Sequence, residues 1–458
     1  MRSPAMRSKR HEFLIPLDDV VRASEHYSER MRTRRTLVVL VVAAAIVGAY
    51  FGGRASVSRT TAPTLTTLTT FHLGSTLTTM TVKPSVATFD PLSVTFVSLD
   101  TGWVLGTAPC ATGHRCLALR ETTDAGGTWT SKHLSSALLT AADRVVNGRL
   151  AAQYFGQLNV RFANTQDGWI YGSLPGPTPP GGVDFIEPVQ YLWSTHDGGR
   201  VWRRQSFAWL GKYGSLFDLE AANGTVYVMG DNKTYHVTVE SSPIGEDSWH
   251  VANAAPMGLP AGGAQPSGSI VLNGSSGWLV VGNDRETSGA ARLSSDGTWV
   301  PWTPPCTTVG NSFATPAASS SATLVAVCTM GGFAQGLSPQ APPGAKLGSS
   351  WLYVSHDGGN TFEAGPELLW LGNAYYGVVA SAAPDTVLAG RPAGKGALMA
   401  SFDAGARWRE VYPGEPSYLG FTSASQGVGL VPSLYGSYGT NTMIMTFDGG
   451  HHWAKVTF

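Results

Sequence analysis

The sequence predicts an all-β fold: a seven-bladed β-propeller with four-stranded blades, preceded by one transmembrane helix. Three observations predict it. A short polar turn ending in an aromatic residue recurs seven times between residues 88 and 458. An apolar strand pair precedes each copy. A run of eighteen uncharged residues, 36–53, lies ahead of the repeats.

Residues 1–35 carry nine Lys/Arg against five Asp/Glu, with Arg30, Arg32, Arg34 and Arg35 at the border of the apolar run. As a helix, 36–53 spans about 27 Å, enough for a hydrocarbon core. The basic flank places the tail in the cytoplasm and everything after the helix outside. A cleaved signal peptide is the alternative, opposed by the long N-terminal region and the lack of a small-residue cleavage site. Residues 54–87 are rich in Thr and Ser and read as an extended stalk.

The repeat is most complete in Thr122-Thr123-Asp124-Ala125-Gly126-Gly127-Thr128-Trp129. Further copies place Asp197 with Trp202, Asp357 with Phe362, Asp403 with Trp408 and Asp448 with Trp453. Asp296 with Trp299 is a shortened copy, and Asp247-Ser248-Trp249 a worn one. A hydroxyl and a carboxylate two residues apart can accept hydrogen bonds from loop N–H groups. Glycine supplies φ > 0, and the closing aromatic can wedge between sheets. Catalysis needs one constellation, whereas a joint is needed in every unit, so these aspartates read as architecture.

Ahead of each joint stands an apolar strand, a turn and a second strand, as in Val94 to Leu99 followed by Gly102-Trp103-Val104-Leu105-Gly106. Gly168-Trp169-Ile170-Tyr171-Gly172 and Gly277-Trp278-Leu279-Val280-Val281-Gly282 repeat the second element. Two strands here and two around the joint make a four-stranded blade. The joint aspartates are 73, 50, 49, 61, 46 and 45 residues apart. A bare blade needs roughly 40–50, so units two and five carry insertions, Leu174 to Gln190 and Gly331 to Gly348. Both fall between second and third strands and so open on one face.

Four cysteines in an extracytoplasmic domain point to disulfides rather than zinc. Cys110 and Cys116 flank one loop, and Cys306 and Cys328 lie at two strand ends on the same face, so the expected pairs are Cys110–Cys116 and Cys306–Cys328. Free buried thiols are the alternative. Lys+Arg and Asp+Glu are equal at 31 each, which leaves no basic footprint for nucleic acid.

The motif S/T-x-D-x-G-x-T-W resembles the Asp-box, or bacterial neuraminidase repeat. The units preceding it resemble those of the Ycf48-like photosystem II assembly factors. The resemblance covers residues 88–458 and implies a sialidase-like propeller, here in a membrane-anchored bacterial form. Function stays open, because the same joint serves sialidases, xyloglucanases, sortilin-type receptors and assembly factors. The cytoplasmic tail and anchor depart from the photosynthetic members.

A sialidase resemblance would imply an arginine triad, a Tyr/Glu pair, an acid Asp and a Phe/Tyr-Arg-Ile-Pro signature. The signature is absent. Arg161, expected before a first strand, and Arg285 and Arg391, expected just after second strands, fall near one face. Guanidinium groups there suit carboxylates. Asp184 with Glu187 and Asp284 with Glu286 lie on loops with nothing to set their separation. His451-His452 sits inside a turn, and no nucleophile elbow, P-loop or dinucleotide fingerprint occurs.

Aromatics gather just before first strands: Trp209 with Tyr213, Trp370 with Tyr375 and Tyr376, and Tyr418. Tyr435 and Tyr438 fall in a loop on the same face. Such residues anchor proteins and sugars, or pack the seams between blades. The expectation is a membrane-tethered, extracytoplasmic, monomeric ring that binds an envelope protein or glycan without catalysis, cofactor or metal. Tyr213, Tyr375, Tyr376, Tyr418, Arg161, Arg285 and Arg391 are its candidate contacts. The alternatives are a sialidase-like glycoside hydrolase or carbohydrate-binding protein, and an envelope sensor signalling through its tail.

Overall fold

The computed structural model describes residues 89–109, 115–143, 158–175, 188–210, 214–232, 236–253, 257–258, 267–282, 287–305, 315–329, 350–368, 378–391, 396–432 and 441–458. The tail, the apolar run 36–53 and the stalk lie outside them. Among the described residues no helix is long and apolar enough to cross a membrane.

Seven antiparallel sheets form the ring, and each takes its strands in sequence order. Six are four-stranded; blade 3 carries a fifth short strand, Met257–Gly258, paired with its third. The inner strands are Asp90–Phe96, Leu158–Phe162, Ser215–Ala222, Ser267–Asn273, Thr315–Ala318, Val379–Ala383 and Tyr418–Phe421. A helix that the repeat pattern did not foretell, Ser136–Asp143, links blade 1 to blade 2 and buries Leu138 in the core between them.

The joints show why the motif recurs. In blade 1 Thr122 Oγ1 donates to Asp124 Oδ1 at 2.8 Å and accepts from Gly126 N at 2.9 Å. Asp124 Oδ1 accepts Thr128 N at 2.8 Å, and Oδ2 accepts the Thr128 hydroxyl at 2.7 Å. Blade 5 repeats this with Ser355, Asp357, Gly359 and Thr361, and blade 6 with Ser401, Asp403, Gly405 and Arg407. Blade 7 uses Thr446, Asp448, Gly450 and His452. The glycine that donates to the hydroxyl sits at φ between 85° and 94° in blades 1, 2, 5, 6 and 7, a region L side chains avoid. One residue before that glycine, a second N–H bonds to the carbonyl between strands one and two of its own blade, as Gly198 N does to Gln166 O at 2.9 Å. Both turns therefore share one face of the ring.

The closing aromatic seals the seam. Trp202, Trp408 and Trp453 each donate Nε1 to the glycine carbonyl three residues back, at 3.0, 2.9 and 3.1 Å. Phe362 has no such donor. Two tryptophans of blade 4 supply it instead: Trp302 Nε1 reaches Gly359 O at 2.8 Å and Trp278 Nε1 reaches Gly358 O at 2.9 Å. Worn Asp247 has left its turn altogether. It accepts from Ser194 Oγ of blade 2 at 3.0 Å, while its other oxygen lies 3.4 Å from His196 Nε2, whose Nδ1 contacts Asp167 at 2.8 Å.

Phe96, Phe162 and Phe421 end inner strands directly opposite Gly102, Gly168 and Gly427. A Cβ on those glycines would lie 2.7, 2.5 and 2.7 Å from the ring facing it. The glycine thus lets the phenylalanine lie flat across the hairpin, where Trp202 meets Phe162 edge-on at 6.2 Å. That close approach explains why Phe and Gly recur together in the repeat.

Among the described residues, blades 1 and 7 exchange no strand. They meet through Asn441 N on Asp90 Oδ1 at 2.7 Å, Asn441 Nδ2 on Pro91 O at 2.8 Å and Phe89 against Phe458 at 4.7 Å. Cys116 and Cys328 are both disulfide-bonded; Cys110 and Cys306, their expected partners, lie outside the described residues.

Hydrogen bonds from Thr128 hold the Asp124 carboxyl at a pKa of about 2, and those from Arg407 do the same for Asp403. Asp357 is depressed likewise by Thr361. Folding lowers these values, so their stabilisation is complete above the ordinary carboxylate range, about 4, and drains away as the pH falls through about 2. Acid unfolding followed by circular dichroism should begin below about pH 4, and Asp124→Asn should shift that transition less than it lowers stability at pH 7. A transition centred above pH 5 would show that other groups control it.

Candidate functional site

The inner strands enclose a central channel with a volume of about 550 Å³. Its charged lining comes from two neighbouring blades: Arg161 on blade 2, and Asp218 and Glu220 on blade 3. Small hydroxyl residues such as Ser269, Thr315 and Ser381 and the rings of Phe217 and Tyr418 cover the other walls.

Local structure explains the placement. The inner strand of blade 3 shifts register between Leu216 and Asp218 opposite Gly230 and Met229, leaving Phe217 as an extra residue. A bulge of this kind re-aims the side chains beside it. Asp218 Oδ1 accepts from Tyr171 OH of blade 2 at 3.0 Å and from Leu219 N at 2.9 Å. Its Oδ2 accepts from Ile270 N of blade 4 at 2.8 Å. One carboxylate therefore ties three blades together. Two positions on, Glu220 Oε1 accepts from Arg161 Nη2. Those side chains remain 22% and 19% exposed, so water reaches the pair.

Burial pushes Asp218 up, against the bonds it accepts. Burial also drives Glu220 up to about 8; Arg161 pulls it back and the neighbouring Asp218 raises it further. The Tyr171 hydroxyl is pushed well up by burial and by Asp218. A carboxyl perturbed this far, beside a charged partner in a cavity, marks a candidate site.

Tyr418 begins the inner strand of blade 7 and lies back along it. Its hydroxyl would be 2.7 Å from a Cβ on Gly420, so a side chain there would make the ring shift. The hydroxyl is near enough to interact electrostatically with the Arg161 guanidinium.

The structure thus brings Arg161 and Tyr418 together and separates them from Arg391. Arg161 lies within the inner strand rather than before it, because the apolar alternation of blade 2 starts at Leu158. Its partner on the second strand, Trp169, is next to the turn, so Arg161 is nearer the Asp-turn end than the opposite face. Arg391 ends the second strand of blade 6 and donates to Glu410 of the outermost strand at 2.9 Å. Tyr213, Tyr375, Tyr376, Arg285, Tyr435 and Tyr438 lie outside the described residues. Sequence reasoning missed Asp218, Glu220 and Tyr171. The available signal was Leu216-Phe217-Asp218-Leu219-Glu220, two acids at alternate positions of an otherwise apolar strand. Among the described residues no group of three or more His, Cys, Asp or Glu is placed to hold a metal ion.

No protein-family model and no curated protein matches the chain. Solved structures do. YCF48 bound to D1 peptide is 18% identical at a TM-score of 0.47, over 80% of this chain and 94% of that one. An ulvan lyase is 10% identical at 0.47, over 81% and 96%. The β-propeller domain of the Trilobed protease from Pyrococcus furiosus is 7% identical at 0.43, over 81% and 98%. The chain is a seven-bladed propeller, loosely similar to these.

Proposed function

We propose that this chain is a non-catalytic binding propeller, tethered outside the membrane by residues 36–53, that docks an envelope protein at the channel mouth opposite the Asp turns. The observation that carries this reading is how the acidic groups are employed. The well-formed Asp turns commit their carboxylates to their own loops. In the channel, Asp218 is held by Tyr171 and two amides, and Glu220 by Arg161. What remains is a cavity with hydroxyl and aromatic walls on a rigid ring, features suited to recognition. The strands flanking 176–187 and 330–349 open on the face opposite the Asp turns, which supports docking there.

The test is affinity capture from envelope extract with the tagged full chain in detergent. A folded Tyr418→Ala variant should retain about fivefold less partner, the effect of an interface contact worth about 1 kcal/mol. Undiminished capture by that variant would remove the channel mouth from the interface. Retention of a glycan and no protein would replace the protein partner with a sugar. A reporter fused after Phe458 should be active only outside the membrane, and activity in the cytoplasm would overturn the tethered topology.

A further inference from the structure

We propose that the central channel is also a binding site for a small organic cation, a primary ammonium on a short apolar arm, seated against the second carboxylate oxygen of Glu220. This goes beyond the docking of an envelope partner and does not depend on it.

Charge balance is the first argument. Among the described residues lining the channel, one cation, Arg161, faces two acids, Asp218 and Glu220, and is outnumbered once both are ionised. Availability is the second. Asp218 is fully engaged by Tyr171 OH, Leu219 N and Ile270 N. Glu220 is engaged through Oε1 alone, which leaves Oε2 as an acceptor facing a water-reached cavity. Arg161 cannot invite an anion in the same way. Its Nη2 is taken by Glu220 and its Nε is covered, so only Nη1 remains, held on the same group as the bond to Glu220. A ligand carboxylate at Nη1 would also lie close to the Glu220 and Asp218 carboxyls.

The rest of the cavity decides the class of cation. The Phe217 and Tyr418 rings line it, beside strand backbones whose aliphatic side chains, such as Val160 and Ile270, are buried between the blades. Aromatic faces attract ammonium groups, and the same rings offer a short hydrocarbon arm an apolar surface. A metal ion would need several anionic ligands, which the described residues do not group. The volume of about 550 Å³ lies in the range of small-molecule sites, roughly 300–1,000 Å³.

The proton-binding behaviour of Glu220 supplies an independent readout. Burial raises its pKa to about 8, so near neutrality the empty site holds a proton that the ammonium must expel. Affinity should therefore rise with pH, by up to about tenfold per unit below 8, and level off above it.

Calorimetry on the full chain in detergent, with n-butylammonium, 1-butanol and butyrate as probes, tests the proposal. The ammonium should bind saturably with one-to-one stoichiometry, and neither the alcohol nor the carboxylate should. E220Q should weaken it by at least about tenfold, as expected when one partner of a buried charge pair is removed. On the native chain, runs at pH 7 in buffers of differing ionisation enthalpy should report close to one proton released. This keeps the test decisive if E220Q fails to fold. Preference for butyrate, equal binding of butanol, unchanged affinity in E220Q, absence of saturable ammonium binding, or binding without proton release would each overturn the proposal.

Discussion

Trp103→Ala should destabilise the ring by about 3–5 kcal/mol, the range for deleting a buried indole. Trp103 is fully buried on the second strand of blade 1 and stacks on Phe162 of blade 2, with centroids 3.9 Å apart and planes 10° from parallel. Phe162 in turn packs edge-on against Trp202, so the three rings fill one seam from both sides. Neighbouring blades cannot collapse into the space an indole leaves, because each is held by its own ladder and by the next seam. The loss should therefore include a cavity term as well as a transfer term. Guanidinium denaturation followed by tryptophan fluorescence and circular dichroism would measure it. A cost below about 1 kcal/mol would show that the seam repacks and that the wedge is not needed.

Above the Glu220 pKa of about 8, where the pair is ionised, Arg161→Met should cost about 3 kcal/mol, the lower end for breaking a buried ion pair, since both partners still see water. The substitution leaves Glu220 facing Asp218 with no cation among the residues lining the channel. Pairing it with Glu220→Leu should recover most of the loss, because a pair replaced by apolar groups leaves no stranded charge. The double variant decides the matter: if it is no more stable than Arg161→Met alone, the two residues are not coupled. The single variant should also become more stable as the pH is lowered from 8 to 6. Glu220, freed of Arg161, then takes up a proton more readily in the folded than in the unfolded chain.

The blade architecture was legible because it is written in local chemistry. The hydroxyl, aspartate and glycine of each joint meet within four residues, as in Thr122, Asp124 and Gly126, so nothing beyond the turn is needed to form it. Phe162 and Gly168 lie six residues apart across one hairpin and are equally local. The worn third copy was readable as a copy but not for its partners. Asp247 serves Ser194, a residue 53 positions away on another blade. Likewise, no property of Phe362 announces that Trp278 and Trp302 will supply the hydrogen bonds it cannot make.

The channel belongs to the same class. Arg161 drew notice as a candidate contact, but its mate, Glu220, lies 59 residues on and reads in isolation as one acid in a strand. Repeat number, strand count and the turn chemistry followed from the sequence by itself, because each rests on residues close along the chain and recurs from blade to blade. Which side chains face the axis was decided by the tertiary structure alone. Closing a ring brings together one short strand from every blade, and the bulge at Phe217 sets which of its neighbours point inward. The distance along the chain between such residues is set by blade length, and so it carries no signature of the site they form.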